Sequence, residues 1–318
     1  VSGDDGHRVA ASPVAVLGPT ASGKSDVAMA AARALVAAGR HVEIVAVDAM
    51  QVYRGMDIGT ATPGAADRAE IPHHGLDLAD PADEYSVAEF VRAGRAAIEG
   101  TSARGGLPLV VAGTGLHLRA LTDPMDIPGT WPELRAALQA RAERDGPEAL
   151  HRELAGADPV AASRMEPTNV RRIVRALEVC QGSGRPFSSF GPGIDTYPPT
   201  RWRLVGLRWP RDVLAQRIER RVAAMMAAGL LDEVRGLLGR QRPLSRTARQ
   251  ALGYRELIDH LEGRLTLDEA VELTVRRTRQ FAVRQERWFR RDPRVQWVDI
   301  ELDPVHEVVP VVLGAARA

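Results

Sequence analysis

Cysteine is nearly absent: among 318 residues only Cys180 carries a thiol. One thiol excludes an intrachain disulfide and any zinc site built on cysteines, and it fits a reducing, cytoplasmic setting. Lysine is as scarce. Of the 42 basic residues all but Lys24 are arginine, and against 41 acidic residues the net charge is only +1. A nucleic-acid partner would therefore have to be held by a local basic patch, not by the charge of the whole molecule. No apolar run approaches the roughly 18 residues of a membrane span, and the first residues lack the apolar stretch of a signal peptide. This predicts a protein with no membrane partner. Glycine (29) and proline (21) follow no fixed period, which excludes a fibrous chain.

What is present is an alternation of strand and helix signals. Residues 14–17 read as a buried strand, 24–38 as a helix stopped by Gly39, and 41–47 as a second strand ending at Asp48. Residues 107–112 form a short apolar run of the kind buried in a parallel sheet, and Ser86 with Glu89 forms a capping box that opens the intervening crossover helix. The pattern predicts the α/β class, with a doubly wound parallel sheet as core, which the phosphate-loop motif at residues 18–25 makes P-loop NTPase-like. From 123 to 200 short helices with Pro or Asp starts lead into a Gly/Ser/Pro-rich stretch, which predicts a helical insertion. Strand signals at 202–207 and 295–298 return the chain to the sheet. The expected organisation is a disordered 1–12, a core of 13–122 with 201–318, and an insertion of 123–200.

Gly18, Pro19, Thr20, Ala21, Ser22, Gly23, Lys24 and Ser25 match G-x-x-x-x-G-K-[ST], after a predicted strand and opening a helix. The glycines let backbone N–H groups curl round an oxyanion, Lys24 reaches a terminal phosphate, and Ser25 can hold Mg²⁺. The sole lysine thus falls where a compact ammonium fits between phosphates better than a planar guanidinium. The loop predicts a di- or triphosphate without saying which. The strand 107–112 runs into Gly113 and Thr114 with no acidic residue where a motor-type NTPase keeps its magnesium-positioning Asp. The acidic residue is Asp48 instead, at the end of a strand where an open sheet places ligands. There it can take a proton from an acceptor that attacks the phosphorylated ligand. A small-molecule or nucleotide kinase, with ATP on the loop and Asp48 activating a hydroxyl, remains a second reading. An RNA-binding P-loop protein without chemistry is a third. His73 and His74 are read as structural, because adjacent side chains diverge and no further ligand is spaced nearby.

Thr266 and Glu269 form another capping box, after which a helix is expected to run to Arg291. Arg276, Arg279, Arg284, Arg287, Arg290 and Arg291 fall on one side, and Val271, Val275, Phe281, Ala282, Trp288 and Phe289 on the other. Such a face suits phosphates. Arg171, Arg172 and Arg175 form a second cluster at helical spacing, and Tyr254 beside Arg255 is expected to offer stacking with phosphate contact.

Several strings together resemble the bacterial tRNA dimethylallyltransferase family. They are the phosphate loop 18–25, Asp48-Ala-Met-Gln-Val-Tyr-Arg-Gly-Met-Asp-Ile-Gly-Thr60, and Asp80-Pro-x-x-x-Tyr-Ser-Val-x-x-Phe90. Further ones are Gly113-Thr-Gly-Leu116, Arg172-x-x-Arg-Ala-Leu-Glu178, Arg217-Ile-x-x-Arg221, Gln250-Ala-Leu-Gly-Tyr-Arg255 and the tail Thr278-Arg-Gln-Phe-Ala-x-Arg-Gln-x-x-Trp-Phe289. The resemblance runs from about residue 13 to 298. It implies transfer of the dimethylallyl group of dimethylallyl diphosphate to N6 of adenosine 37, on the 3′ side of the tRNA anticodon. Thr20, Lys24, Ser25 and Arg221 would then grip the diphosphate with Mg²⁺, Asp48 would accept the N6 proton, and Thr114 would line the same channel. By the same resemblance Asp48, Ala49, Met50, Gln51, Thr114, Arg135, Arg171, Arg172, Arg175, Gln250, Gly253, Tyr254 and Arg255 are expected to contact tRNA, in a protein acting as a monomer. Ala49, Thr62, Ala112 and His117 depart from the family's usual residues, and none of them removes a proposed catalytic group.

Overall fold

The computed structural model describes residues 12–317 apart from Pro192 and Asp195, so all but one residue of the expected disordered N-terminus lie outside the described residues. The chain divides into two compact units: residues up to Leu118 with those from Pro199 onward, and Arg119–Pro198.

The first unit holds the sheet. Its central strand β1 (Val14–Leu17) is wholly buried, as four consecutive apolar residues in a parallel sheet must be. The loop 18–23 leads into α1 (Lys24–Ala37), whose Ala28, Ala31 and Ala32 let the helix lie close on the strands. Next come β2 (Val42–Val47), α2 (Ala65–Glu70) and β3 (His73–His74). The crossover helix α3 (Val87–Ala103) starts at the expected capping box: Ser86 Oγ accepts from Glu89 N at 3.2 Å, and Glu89 Oε2 accepts from Ser86 N at 2.8 Å. β4 (Leu107–Ala112) follows, and then α4 (Gly115–Thr122).

The second unit is helical, with α5 (Pro132–Asp145), α6 (Pro147–Ala157), α7 (Pro159–Ser163) and α8 (Val170–Ser183). Leu138, Leu150, Leu154, Ile173 and Leu177 form its core. Three of these helices carry proline at their first position, where the missing N–H costs nothing.

The first unit resumes with β5 (Arg203–Arg208), α9 (Arg211–Ala227), α10 (Leu230–Leu238), α11 (Arg246–Arg249) and α12 (Tyr254–Leu261). It closes with α13 (Leu267–Phe289), β6 (Val295–Asp299) and α14 (Pro304–Arg317), α13 ending two residues before the expected Arg291. The six strands are all parallel, in the order β3-β2-β4-β1-β5-β6. Register places the site. Leu17 pairs with Ala112 and Ala112 with Val47, so Gly18, Gly113 and Asp48 each lie one residue beyond a common rung at the carboxyl edge.

The histidine pair forms β3, too short to leave an alternating pattern in the sequence. His74 Nε2 lies 2.6 Å from Glu43 Oε2, and Thr101 and Arg104 bond the same carboxylate. Burial would raise the Glu43 pKa, but these bonds outweigh it and hold it at about 2.

Candidate active site

The phosphate loop is wound by left-handed turns at Ala21 (φ 61°) and Gly23 (φ 93°), which turn successive N–H groups toward one centre. Crowding explains the glycines. A Cβ on Gly23 would stand 2.8 Å from Pro304 Cγ, and one on Gly18 would stand 3.0 Å from the Leu207 carbonyl oxygen. The loop is braced from outside by residues the motif does not contain. Arg217 Nε donates to Ala21 O at 2.8 Å, Trp209 Nε1 donates to Ser22 O at 2.9 Å, and the Arg217 guanidinium stacks on Trp209 at 4.5 Å. Within the loop, Ser22 Oγ is fully buried with no partner.

Lys24, Arg221 and Asp48 lie within electrostatic reach of one another. Burial and then the Arg221 charge push the Lys24 ammonium down to about 7, with Asp48 pulling the other way. Burial likewise lowers Arg221, against the charges of Asp48 and Asp26. Two desolvated cations with too little anionic charge around them are the electrostatic signature of an anion site. Lys24 Nζ donates to Pro19 O at 2.7 Å. Beside the loop, a cavity of about 570 Å³ is lined by Lys24, Ser25, Arg217, Arg220 and Arg221 over the apolar Ile44 and Val111.

Asp48 reaches this centre over Gly113. A Cβ there would meet Asp48 Oδ2 at 3.3 Å, Gln285 Nε2 at 3.5 Å and Lys24 Cε at 4.0 Å, so three side chains converge above a residue that has none. Asp48 Oδ1 accepts from Met50 N at 2.8 Å, and Thr114 Oγ1 accepts from Ala49 N at 3.2 Å. These bonds fix the turn after β2 to the end of β4. Gln51 Nε2 donates to Thr60 O and Ala61 O, both at 3.2 Å, and so closes the following loop. One turn beyond Thr114, burial drives His117 down to about 4 although Asp48 opposes it, so the ring is neutral near pH 7. It packs edge-on against Phe90 at 4.8 Å with Nδ1 buried and unpartnered.

Among the described residues no group of three or more His, Cys, Asp or Glu could hold a metal. The oxygen donor at hand, the Ser25 hydroxyl on the cavity wall, nevertheless suits Mg²⁺, which is commonly held by one or two protein oxygens and completed by substrate phosphate and water.

Residues 51–292 match the family model described as IPP transferase. A protein of Kineococcus radiotolerans called tRNA dimethylallyltransferase is 52% identical over 286 residues, 90% of each chain. The full-length tRNA isopentenylpyrophosphate transferase of Bacillus halodurans superposes with a TM-score of 0.66 at 36% identity, over 95% of this chain and 96% of that one. A eukaryotic dimethylallyltransferase acting on tRNA gives 0.73 at 25% identity, over 90% and 73%. The chain belongs to the IPP transferase family. It is an enzyme of that prenyl-transferring kind, with the mixed α/β fold its motifs imply.

The positions expected to meet RNA fall into two groups in this IPP transferase. Arg171 and Arg172 stand exposed at the start of α8, and Gln250 and Arg255 are exposed around α12. Tyr254 corrects the expectation of a stacking platform. Its ring is fully buried under Gly59, where a Cβ would come within 2.4 Å of Cε2, and its hydroxyl donates to Glu233 Oε1 at 2.6 Å. Glu233 also accepts from Asp57 N and Ile58 N at 3.0 and 2.8 Å, so Tyr254 supports the 57–59 turn from beneath. Buried Gly253, in a left-handed conformation, starts that helix by donating to Glu256 Oε2 at 2.8 Å.

Arg135 and Arg175 are both partly exposed and both held in ion pairs. Arg135 Nε donates to the fully buried Glu178 at 2.8 Å, and Arg175 Nη1 lies 3.0 Å from the same carboxylate, which also accepts from Trp131 N at 2.7 Å. Arg135→Ala is expected to lower the stability of the helical unit by about 1–3 kcal/mol, because it removes one partner of a buried charge. Arg171→Ala with Arg172→Ala should leave the melting temperature unchanged. In RNA titrations that double variant should flatten the slope of log affinity against log salt, whereas Arg135→Ala should leave that slope in place.

On α13 the expected arginine face is exposed, with Arg279 paired to Glu219 and Arg290 to Glu286, while Ala282 and Phe289 are buried. Two members of that helix carry site geometry that sequence reasoning gave no role. Gln285 is buried beside Gly113, and Trp288 packs so close on Gly115 that a Cβ there would stand 1.9 Å from Trp288 Cδ1.

Proposed function

We propose that this enzyme transfers the dimethylallyl group of dimethylallyl diphosphate to N6 of adenosine 37 of tRNA and releases diphosphate. The observation that carries the reading is the convergence of one carboxylate, Asp48, and the loop's one cation, Lys24, on the space above Gly113, with Arg221 within electrostatic reach of both. A carboxylate across from an anion cradle is what alkyl transfer from a diphosphate to an amine requires. The N6 lone pair attacks the allylic C1, the C1–O bond breaks with its electron pair leaving on the diphosphate, and the N6 proton passes to Asp48. Lys24 and Arg221 stabilise the charge that grows on the leaving oxygens, and Thr20 offers its hydroxyl to the same oxygens. When bound, Mg²⁺ would be held by Ser25 and would neutralise part of the diphosphate charge. Thr114 fixes the turn beside Asp48, on the path of the incoming base, which must leave the anticodon stack to arrive there.

Arg171, Arg172, Gln250, Arg255 and the α13 arginines are the exposed groups proposed to hold the RNA. The enzyme is proposed to act as a monomer, and an RNA acceptor, together with the protein's single thiol, suits the cytoplasm. No helix among the described residues is long and apolar enough to cross a membrane. The test is to incubate the protein with Mg²⁺, labelled dimethylallyl diphosphate and unmodified tRNA. Label is expected in the RNA at the adenosine 3′ of the anticodon. Absence of label, with phosphate passing from ATP to a small acceptor, would replace the reading by a kinase.

A further inference from the structure

The side chain nearest the centre of the site that this reaction scheme leaves idle is Gln285. It projects from α13 and is 8% exposed, and both ends of its amide are engaged. Oε1 accepts from the backbone N–H of Thr20 at 2.9 Å, and Nε2 donates to the carbonyl of Gly113 at 2.7 Å. One planar group thus joins the phosphate loop after β1 to the turn after β4. No apolar side chain can make either bond, and an ionised glutamate can make only the first.

The location gives these two bonds their significance. The point 3.5 Å from Gln285 Nε2 above Gly113 is also 3.3 Å from Asp48 Oδ2 and 4.0 Å from Lys24 Cε. The clamp therefore spans the gap across which the base and the leaving group must face each other. Three residues on, Trp288 presses on Gly115, so α13 grips the β4 end twice at helical spacing. The same helix presents Arg276, Arg284 and Arg287 to solvent.

We propose that Gln285 is a positioning residue for the transfer reaction. It sets the separation of phosphate loop and β4 turn, and hence that of diphosphate and Asp48, from the helix whose outer face meets the RNA. The inference rests on the proposed transfer. Misplacing reacting groups by about 1 Å is enough to cost on the order of 10²-fold in rate.

The experiment compares wild type with Gln285→Met, which conserves volume and removes both bonds, and Gln285→Glu, which keeps the acceptor. Steady-state transfer, tRNA affinity by filter binding and melting temperature are measured on each. Gln285→Met is expected to lose about 30- to 100-fold in kcat while KM for tRNA and tRNA affinity stay within threefold of wild type. Should Gln285→Met melt far below wild type, the same kcat-against-affinity comparison is made with Gln285→Glu, whose amide-sized polar group keeps the cavity filled. A folded Gln285→Met with kcat within twofold of wild type overturns the proposal, as does a kcat loss matched by an equal loss of tRNA affinity. Failure of the wild type itself to transfer label would instead sink the reaction scheme.

Discussion

Asp48→Asn is expected to lower kcat by about 10²–10⁴-fold, the range that positioned proton acceptors supply. Asparagine keeps the oxygen that accepts from Met50 N, so the turn after β2 survives and the variant should melt with the wild type. The neutral amide cannot take the N6 proton. In single-turnover assays with labelled donor, a deficit confined to the chemical step, with tRNA affinity retained, is the expected result. Full activity in Asp48→Asn would remove the carboxylate from the mechanism.

Lys24→Ala is the second large effect, with a loss of about 10²–10³-fold in kcat/KM for the diphosphate donor, as for other single donors aimed at developing charge. It carries a pH signature of definite sign. In the free protein the ammonium titrates near 7, far below its ordinary 10.5, because it is buried beside Arg221. A bound diphosphate needs the cation, so above pH 7 binding takes up a proton and the affinity for inorganic diphosphate should fall as pH rises through 7. Stability of the free protein runs the other way. Between pH 7 and 10.5 the unfolded chain holds more protons at this site than the folded one, so the Lys24 contribution to stability improves as pH rises across that window. Competition by diphosphate and thermal melts across this range, in wild type and Lys24→Ala, would check both slopes, and each should flatten in the variant.

The phosphate loop and Asp48 were legible because each is local. A glycine pair at fixed spacing after an apolar strand needs no tertiary knowledge, and neither does a carboxylate at the end of the next strand. The sheet was legible for similar reasons, except for β3, whose two residues are too few to show a pattern and of which only His74 is tied to the buried Glu43. Side chains whose meaning depends on a distant partner were not legible. Tyr254 next to Arg255 looks like a stacking pair along the chain, yet the ring turns under Gly59 toward Glu233, 21 residues earlier. Gln285 reads as one polar residue among arginines until the helix is docked on the loop. Arg175 carried a usable clue. Glu178 lies three residues on, the spacing at which helical side chains pair, and that spacing already argued for a salt link over a free guanidinium.

The common rung at Leu17, Ala112 and Val47 makes strand alignment itself a catalytic variable. Side chains alternate faces along a strand, so sliding β2 by one residue against β4 would send the carboxylate of Asp48 to the opposite side of the sheet while every backbone bond re-formed. The side chains that forbid this slip, Val45 and Val110 among them, are buried in the core and line no part of the cavity. Substitutions there can silence the enzyme while leaving it folded, and their inactivity would be inherited from the weave of the sheet, not from any change in its chemistry.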